Sequence, residues 1–312
     1  MRYLVTLKPL EPFLFGGDNT FGKLGDSYSV HSRLFPQQTT LLGMLQKEMM
    51  IQAGYMTRKR KGEWADNSQN VKDLVGSKKF DLSKKEKQNF GKIDSIGAVF
   101  LKQGSDFYIK KANIDKYPME NDTLQKYNPK EDIFDNYICT HGGQNPKTTK
   151  DIFKAIEQIG NKKGGEDNAL FRKTSYLLND GFTFAFFLET SFELRESIVH
   201  LGADRSSFKM TREALGDSDL DLNYTDPKGY LVLLSDSYIG IHIDNECCTH
   251  AITSELSFKH LMNKKGEFNT SKAVYFYEKG SIFIGQTQKL IDELNNANLQ
   301  QIGYNKYSQG EQ

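Results

Sequence analysis

The sequence predicts an α+β fold made of two tandem ferredoxin-like (RRM-type) domains, on three observations. Residues 3–8 and 181–188 alternate in the manner of a half-buried strand. Residues from Thr39 or Thr40 to about Ala53 carry apolar side chains at helical spacing. The order strand–helix–strand–strand–helix–strand then occurs twice along the chain. Sheets in such domains expose one face, which often binds single-stranded RNA.

The first half contains most of the elements that position a binding site. A Gly-rich loop over residues 11–38 separates the first strand from the first helix, and Gly54 suits the end of that helix. The polar, lysine-rich residues 55–92 predict a mobile insertion. After them we expect a hairpin at 96–101 and 106–111, a turn-rich stretch at 112–150, a short helix at 150–159 and an exposed tip at 161–166.

Each half ends in a predicted helix, a glycine and a short polar segment. The first copy is Glu193–Gly202 with residues 203–210, and the second is Lys289–Asn295 with residues 302–308. A glycine can end a helix in the left-handed conformation and let the backbone approach a ligand closely. Two copies therefore predict two related domains that bind a phosphate backbone. The remaining strands of the second half are expected at 230–234, 238–243, 273–277 and 281–284.

A chain of 312 residues is long enough for two domains with separate cores. We place a ferredoxin-like domain at residues 1–212, with a large insertion over about 55–155. A second ferredoxin-like domain occupies residues 213–312.

Charge is distributed unevenly although the net charge is only +1. Residues 57–92 hold eleven Lys or Arg and five acids, whereas residues 213–246 hold eight acids and one Lys. The basic segment suits nucleic acid, and each segment also suits a solvated loop. The acidic segment around Asp217, Asp219 and Asp221 is predicted to lie away from RNA, because like charges repel a phosphate chain.

The composition indicates a cytoplasmic protein that does not span a membrane. No run approaches 18 apolar residues, and the start of the chain alternates like a strand instead of a signal peptide. Three Cys, an odd number, fit a reducing compartment.

Catalytic and metal-binding patterns are weak in this sequence. It has no Walker loop, no Rossmann fingerprint and no paired-carboxylate signature. Adjacent Cys247 and Cys248 near His242 and His250 lack the Cys-x-x-Cys spacing of a zinc site, so we predict no metal and no cofactor. His31 lies in the Gly-rich loop, where a general acid or base is an alternative, but no decisive partner accompanies it.

The segments Leu10–Phe15, Phe21-Gly22 and Ser32–Leu45 together resemble the amino-terminal signature of one known family. This family is the third subunit of the Cmr module, a RAMP-superfamily protein of type III-B CRISPR effector complexes (Cas five-like group). Later segments that resemble the family, in the same order, are Glu157–Gly160, Leu201-Gly202 with Asp204-Arg205, Ala273–Phe276 with Gly280–Phe283, and Gly303–Asn305.

The resemblance implies a non-catalytic RNA-binding subunit in antiviral defence. Such subunits cap the 5′ tag of the CRISPR RNA, dock the large Cas ten subunit and pass the guide to the filament of RAMP backbone subunits, so that they meet target RNA only indirectly. The family also carries a thumb hairpin in its first domain, which corresponds here to about Gly160–Lys173.

The predicted RNA contacts combine cations with flexible turns. Arg172 and Lys173 suit phosphate, and Phe171 suits either base stacking or the strand core. Thr39 and Thr40 lie at a helix amino terminus, where they either attract phosphate or cap the helix. The predicted RNA-binding residues are Lys23, Arg33, Gln37, Thr39, Thr40, Asn161, Lys162, Lys163, Phe171, Arg172, Lys173, Arg205, Ser206, Ser207, Lys209, Gly303, Tyr304, Asn305 and Lys306.

Three alternatives remain open at this point. One is a Cas six-like, metal-independent endoribonuclease with His31 as the proton-transfer residue. The second is the counterpart subunit of type III-A complexes, and the third is a protein-interaction scaffold without RNA contacts.

Overall fold

The elements are taken from a computed structural model of residues 1–312. The structure describes all of these except residues 17–28, 57–68, 78, 118, 121–122, 127, 129–130, 143–144, 162–169, 217–221, 223, 259–260, 265–266, 271–272 and 311–312. The strands are β1 (Arg2–Pro9), β2 (Ser29–His31), β3 (Ile93–Ile96), β4 (Phe100–Gln103), β5 (Asp106–Lys110), β6 (Met119–Glu120), β7 (Thr123–Leu124), β8 (Tyr137–Cys139), β9 (Phe153–Asn161), β10 (Leu170–Leu178), β11 (Phe182–Thr190), β12 (Ser197–Leu201), β13 (Ser206–Ala214), β14 (Leu231–Leu233), β15 (His250–Ile252), β16 (Glu255–Phe258), β17 (Leu261–Lys264), β18 (Glu267–Thr270), β19 (Val274–Tyr277), β20 (Ile282–Ile284) and β21 (Tyr307–Gln309). The helices are α1 (Gln38–Gln52), α2 (Gln69–Val75), α3 (Thr149–Ile152), α4 (Gln288–Leu294) and α5 (Ala297–Gln301).

The chain divides into two units that each combine separate stretches of sequence. Unit 1 consists of Met1–Gly104, Phe153–Asp221 and Asn296–Gly303. Unit 2 consists of Ser105–Ile152, Leu222–Asn295 and Tyr304–Gln312. Both contain helices and antiparallel sheets, as the α+β class predicts.

A large antiparallel sheet forms the centre of unit 1, with the strand order β12-β13-β1-β11-β4 and β3 also paired with β11. Strand β1 lies in its middle, where Val5 is opposite Phe186 on one side and Arg212 on the other. The predicted strands at 3–8 and 181–188 are confirmed as β1 and β11. Their alternation identified them because successive side chains of a strand point to opposite faces.

The pleat of β1 separates an apolar face from a polar one. Val5 and Leu7 are completely buried on the first, together with aromatic rings from other strands. Thr6 is half-buried and Lys8 is exposed on the second. We call the side of the large sheet that carries Thr6 and Lys8 the open face.

Aromatic side chains fill the apolar side of this sheet. The rings of Phe13 and Phe184 meet edge to face with centroids 5.4 Å apart. Phe15 stacks on Phe208 with centroids 6.0 Å apart. Such pairs contribute about 1 kcal/mol beyond the area they bury. Much of the high phenylalanine content therefore serves the core and not base stacking.

A smaller sheet in unit 1, ordered β2-β10-β9, supports the predicted thumb. β9 and β10 form an antiparallel hairpin in register from Leu178 opposite Phe153 to Leu170 opposite Asn161. The predicted helix at 150–159 is wrong beyond α3, because a nine-residue partner strand satisfies the backbone of β9.

The first of the two predicted helix–glycine elements is also wrong. Residues 197–201 form β12, which pairs with β13 and turns at Gly202. Val199 and Leu201 are buried while Ile198 and His200 are exposed, so the burial has a period of two. The second element is helical, with α4 and α5 before Gly303. The two elements are therefore not copies of one structure.

The principal sheet of unit 2 is antiparallel and has the order β15-β20-β14-β21. It corresponds to the predicted strands at 230–234 and 281–284, and β19 to that at 273–277. The predicted strand at 238–243 is wrong, since the backbone N–H of Tyr238 donates to Asn305 Oδ1 in place of a strand partner. The core of this sheet includes Leu231, Leu233, Phe283, Leu290 and Leu294.

The expected mobile segment at 55–92 is partly built into unit 1. Helix α2 lies within it, and Phe90 is buried. The backbone N–H of Gln88 donates to Gln301 Oε1 over 3.0 Å, and Gln301 Nε2 returns a bond of 3.0 Å to Gln88 O. For these described residues the prediction of mobility is wrong, because paired amides and apolar contacts hold the chain.

Unit 2 contains a buried ion pair between Lys111 and Asp226. The ammonium and carboxylate are 2.6 Å apart, with side chains that are 3% and 0% exposed. Tyr224 donates a hydrogen bond of 2.9 Å to the same carboxylate, and the backbone N–H of Lys228 donates another of 2.9 Å. These hydrogen bonds replace those that the carboxylate would make with water, so the Asp226 carboxylate can remain charged when it is buried.

Replacing Asp226 with Asn should destabilise unit 2 by about 3–5 kcal/mol, because the buried Lys111 ammonium then keeps only the more distant, half-exposed carboxylate of Asp115 as a counter-ion. Chemical denaturation followed by circular dichroism measures the loss. Asp115→Asn is the control, since this half-exposed carboxylate also contacts Lys111 and should cost under about 1 kcal/mol. An equal loss of unfolding free energy in the two variants would contradict the role of Asp226 as the principal counter-ion of Lys111.

Candidate nucleic-acid interface

The hairpin β9–β10 leads to the predicted thumb tip. Asn161 and Phe171 lie on its two strands, with Phe171 opposite Gly160. Lys162 and Lys163 belong to the tip, outside the described residues, as does Lys23 in the Gly-rich segment. Ser29 of β2, the first described residue after the Gly-rich segment, pairs with Arg172 of β10, two residues after the described chain resumes beyond the tip.

The two predicted cations of β10 are already paired with acids of the same unit. Arg172 forms two hydrogen bonds of 2.5 and 2.6 Å with the carboxylate of Glu157 across the hairpin. Lys173 forms an ion pair with Asp204. Both members of the first pair are about half exposed. Such surface pairs contribute about 0–1 kcal/mol, so a phosphate can replace the acid at little cost.

A tight turn between β12 and β13 presents Arg205. Gly202 has a φ of 83°, and a Cβ there would overlap the carbonyl of Leu14. The N–H of Ala203 donates to that same carbonyl over 2.9 Å. Arg205 itself has a φ of 55° and is exposed. The glycine lets the turn dock against the chain, and the turn then holds Arg205 in a left-handed conformation that is uncommon for a residue with a side chain.

Hydrogen bonds join this turn to the small sheet. Leu14, which receives the turn, is followed by Phe15, whose carbonyl accepts from the N–H of Arg33. Strand β2, which precedes Arg33, pairs with β10. The ion pair between Lys173 of β10 and Asp204 of the turn then connects the turn directly with the small sheet. These links place Arg33, Arg172, Lys173 and Arg205 on elements of unit 1 that are paired with one another, and one guanidinium nitrogen of Arg33, Nη1, is buried. We call these four residues the cationic cluster.

His31 of β2 has one side-chain hydrogen-bond partner among the described residues, the hydroxyl of Ser29. The ring is exposed, and its Nε2 is 3.0 Å from the hydroxyl of Ser29. Proton transfer in catalysis needs groups that both give and take a proton near the scissile bond. A hydroxyl beside one imidazole does not supply that set.

The amino terminus of α1 differs from the prediction. The helix begins at Gln38, after the extended residue Gln37, and no side chain caps it. Thr39 and Thr40 therefore lie in its first turn, half-buried, and neither is the capping residue. The side chain of Gln38 is buried and donates to the carbonyls of Gly97 and Gly303 over 3.3 and 3.1 Å. This end of α1 is tied into unit 1.

Gly303 is a packing residue. It has a φ of 93°, and a Cβ would overlap the carbonyl of Gly97 and the amide of Gln38. Glycine is therefore required here by close backbone approach, independently of any ligand.

Tyr304 and Asn305 are buried in unit 2 and do not form an exposed loop. The Tyr304 ring lies 5.1 Å from that of Phe276. Asn305 is completely buried, and its Nδ2 donates to the carbonyl of Tyr238 over 3.1 Å. Lys306 is half-buried, and its N–H donates to Ser235 Oγ. The burial of these side chains does not fit the prediction that they face RNA. Gly303 is typical of a ligand-binding loop, but here it permits close packing of the backbone.

The serines after the turn also serve the fold. Ser206 is buried and donates to the carbonyl of Pro12 over 3.0 Å. The N–H of Ser207 donates to Glu11 Oε1 over 2.7 Å, and this bond lowers the pKa of the Glu11 carboxyl. A carboxylate thus occupies the donor that a phosphate would use. Lys209 is exposed on the open face of the large sheet, away from the turn.

The remaining predicted sites have no further support. Asp217, Asp219 and Asp221 lie outside the described residues. Within the described ranges, no three His, Cys, Asp or Glu side chains come together as metal ligands. No helix of the described chain is long and apolar enough to cross a membrane.

Comparison with known proteins agrees with the resemblance stated from the sequence. Residues 5–114 match the model of the family "CRISPR-associated protein (Cas_Cmr3)". No curated protein matches the chain. The match covers the amino-terminal signature at residues 10–45, and the resemblance to the third subunit of the Cmr module is confirmed.

Two solved structures share the fold over nearly the whole chain. One is a chain of the "Type III-B Cmr-beta bound to cognate target RNA and AMPPnP, state 1", with a TM-score of 0.53 and 15% identity, over 98% of this chain and 96% of that one. The other is a chain of the "Type III-B Cmr-beta bound to cognate target RNA", with a TM-score of 0.54 and 15% identity over the same shares. At this identity the likeness shows the fold alone.

Asn305 provides a test of the packing role. Replacing it with Ala should destabilise the protein by about 3 kcal/mol, because the change strands buried polar groups and leaves a side chain at positive φ. Thermal and chemical denaturation measure the loss. Lys306→Ala is the neighbouring control and should change the free energy of unfolding by less than about 0.5 kcal/mol. A stable Asn305→Ala protein that has lost RNA binding would restore this loop to the interface.

Proposed function

We propose that this Cmr-type RAMP chain is a non-catalytic RNA-binding subunit of a type III-B CRISPR effector complex. In this role it holds the 5′ tag of the CRISPR RNA, docks the large Cas ten subunit and passes the guide to the RAMP filament, which contacts the target RNA. The observation that carries the proposal is the cationic cluster. Its members Arg33, Arg172, Lys173 and Arg205 lie on elements that the pairing of β2 with β10, the backbone contacts of Leu14 and Phe15, and the Lys173–Asp204 ion pair hold together.

We also propose that two ferredoxin-like domains, at residues 1–212 and 213–312, underlie the fold. Strand order supports this. In unit 1 the strands β13-β1-β11-β4 stand in the order fourth, first, third, second, with α1 after the first. In unit 2 the strands β21-β14-β20-β15 repeat that order, with α4 before the fourth. Since β4 lies within the predicted insertion of about 55–155, that segment then supplies the second core strand of the first domain as well as inserted elements.

The cationic cluster predicts a salt-dependent loss of tag binding. Replacing Arg172, Lys173 and Arg205 together with Gln should lower the slope of log affinity against log salt by about 2, because each lost contact to single-stranded RNA contributes roughly 0.7. Titration of labelled tag RNA at several salt concentrations measures the slope.

The control for this triple variant is Lys72→Gln, which removes one exposed cation of unit 1 on α2. It should leave the slope unchanged. Superimposable titrations for the wild type and the triple variant would show that the cationic cluster does not touch RNA.

The non-catalytic role predicts that repeat RNA stays intact. Purified protein incubated with labelled repeat RNA should bind it without cleavage, and His31→Ala should change neither outcome, because among the described residues the ring is hydrogen-bonded to the Ser29 hydroxyl and not to an acid or base. Cleavage by the wild type that disappears in a folded His31→Ala protein would favour the Cas six-like alternative.

A further inference from the structure

The open face of the large sheet in unit 1 carries lysines in cross-strand register. Lys8 on β1 is directly opposite Lys209 on β13, and both are exposed. On the far side of β1, Lys102 of β4 is opposite Thr183 of β11. Residues opposite each other in an antiparallel pair share a face, so these lysines point to the same side of the sheet.

Strand register places the three lysines on one line across the sheet. Ala185 of β11 is opposite Thr6 of β1. Two residues away in the same direction on each of these antiparallel strands, Thr183 is therefore level with Lys8. Lys209 is in turn opposite Ile198 of the edge strand β12. At about 4.8 Å per strand, the three spacings from Lys102 on β4 to Lys209 on β13 extend for about 14 Å. We call Lys8, Lys102 and Lys209 the lysine row.

The Lys8–Lys209 pair is unfavourable for the isolated chain. Like charges directly opposite each other on neighbouring strands destabilise a sheet. Within the described part of the chain, neither ammonium group forms an ion pair. An anion bound across both lysines would remove the repulsion, whereas the cations of β10 already have carboxylate partners.

Hydrogen-bond donors and a depression accompany the lysine row. The hydroxyls of Thr6 and Thr211 are 2.6 Å apart on the open face. Both line a depression of about 340 Å³ together with Thr183 and Lys102. Acidic side chains lie at its other end, where Glu213 is opposite Leu4, four residues along the strand from the lysines. An extended anion is therefore favoured along the row and disfavoured beyond it.

We propose that the lysine row binds the phosphate backbone of a second stretch of single-stranded RNA, separate from the stretch held by the cationic cluster. A line of cations flanked by hydroxyls fits successive phosphates and 2′-hydroxyls. Aromatic rings of this side, Phe100 and Phe187, are buried and pack on each other, so they do not present a stacking surface. The contact is consequently independent of sequence. This site goes beyond the proposed tag binding, and it does not require it.

The first experiment removes the two opposed charges. Lys8→Gln with Lys209→Gln in the full chain should lower the salt slope for an unstructured 20-nucleotide RNA by about 1.4, the sum of two single-strand contacts. The same variant should melt at an equal or higher temperature, because the repulsion is gone. Lys8→Arg with Lys209→Arg should retain the wild-type slope, and Lys72→Gln should have no effect.

The second measurement does not depend on variants. The extent of acetylation of Lys8, Lys102 and Lys209, measured by mass spectrometry, should decrease when the unstructured 20-nucleotide RNA is bound. A poly-glutamate peptide should protect these lysines much less. RNA of the tag sequence and RNA of unrelated sequence should protect equally.

Any of the following results would overturn the lysine-row proposal: an unchanged salt slope in the Lys8→Gln, Lys209→Gln variant, full acetylation of the three lysines when RNA is bound, or protection by the acidic peptide alone. Protection confined to tag-sequence RNA would also overturn it, because the contact would then belong to the tag site. The triple variant of the cationic cluster keeps the two sites distinguishable, since it removes tag binding without altering any lysine of the row.

Discussion

The position of β1 between β11 and β13 is the constraint on which unit 1 depends. Both edges of this strand are hydrogen-bonded, and Val5 and Leu7 are completely buried. Since side chains of a strand alternate, the same register that buries these residues fixes Thr6 and Lys8 on the opposite side. A slip of one residue would exchange the apolar and polar faces. The aromatic core and the lysine row therefore follow from one register.

The cationic cluster depends on that register through the turn after β12. Because β13 is paired with β1, the turn at Gly202 meets Leu14 just beyond the end of β1. The same stretch leads to Phe15, which pairs with Arg33. The position of Arg205 thus comes from sheet pairing and a backbone contact that only glycine permits. A cation on a mobile loop would lose more entropy on binding than one held this way.

Sequence patterns identified the elements whose signal is local and missed those that a distant partner decides. β1, β11 and α1 show one clear period each, and they were predicted correctly. The segment at 193–202 fits two periods, because Leu194, Ile198 and Leu201 have helical spacing while Val199 and Leu201 alternate. Pairing with β13 selects the strand, and no local signal reveals that partner.

The same distinction explains the site. Arg172, Lys173 and Arg205 were predicted from their residue types near glycines, but their convergence depends on strand pairing. Their acid partners were missed, because Asp204 is 31 residues from Lys173 and only the fold brings them together. Asn305 was misjudged, since a polar residue after glycine is typical of an exposed loop whereas here its amide satisfies buried backbone groups.

Charge pairing distinguishes the two surfaces that are proposed to bind RNA. In the cationic cluster, Glu157 and Asp204 neutralise Arg172 and Lys173, so the field beyond the surface is weak and a phosphate must first displace a carboxylate. The planar guanidinium of Arg172, which donates both of these hydrogen bonds from one terminal nitrogen, can also bind an anion of matching geometry through two nitrogens, and this makes the exchange selective. The lysine row has no such internal partners among described residues, so its field reaches about a Debye length into solvent and depends strongly on salt. With a net charge of +1 the chain has little overall attraction for nucleic acid. In the proposed RNA-binding role, local pairing and not total charge therefore distinguishes the two surfaces: the cationic cluster would select RNA at close contact, and the lysine row would attract it from a distance.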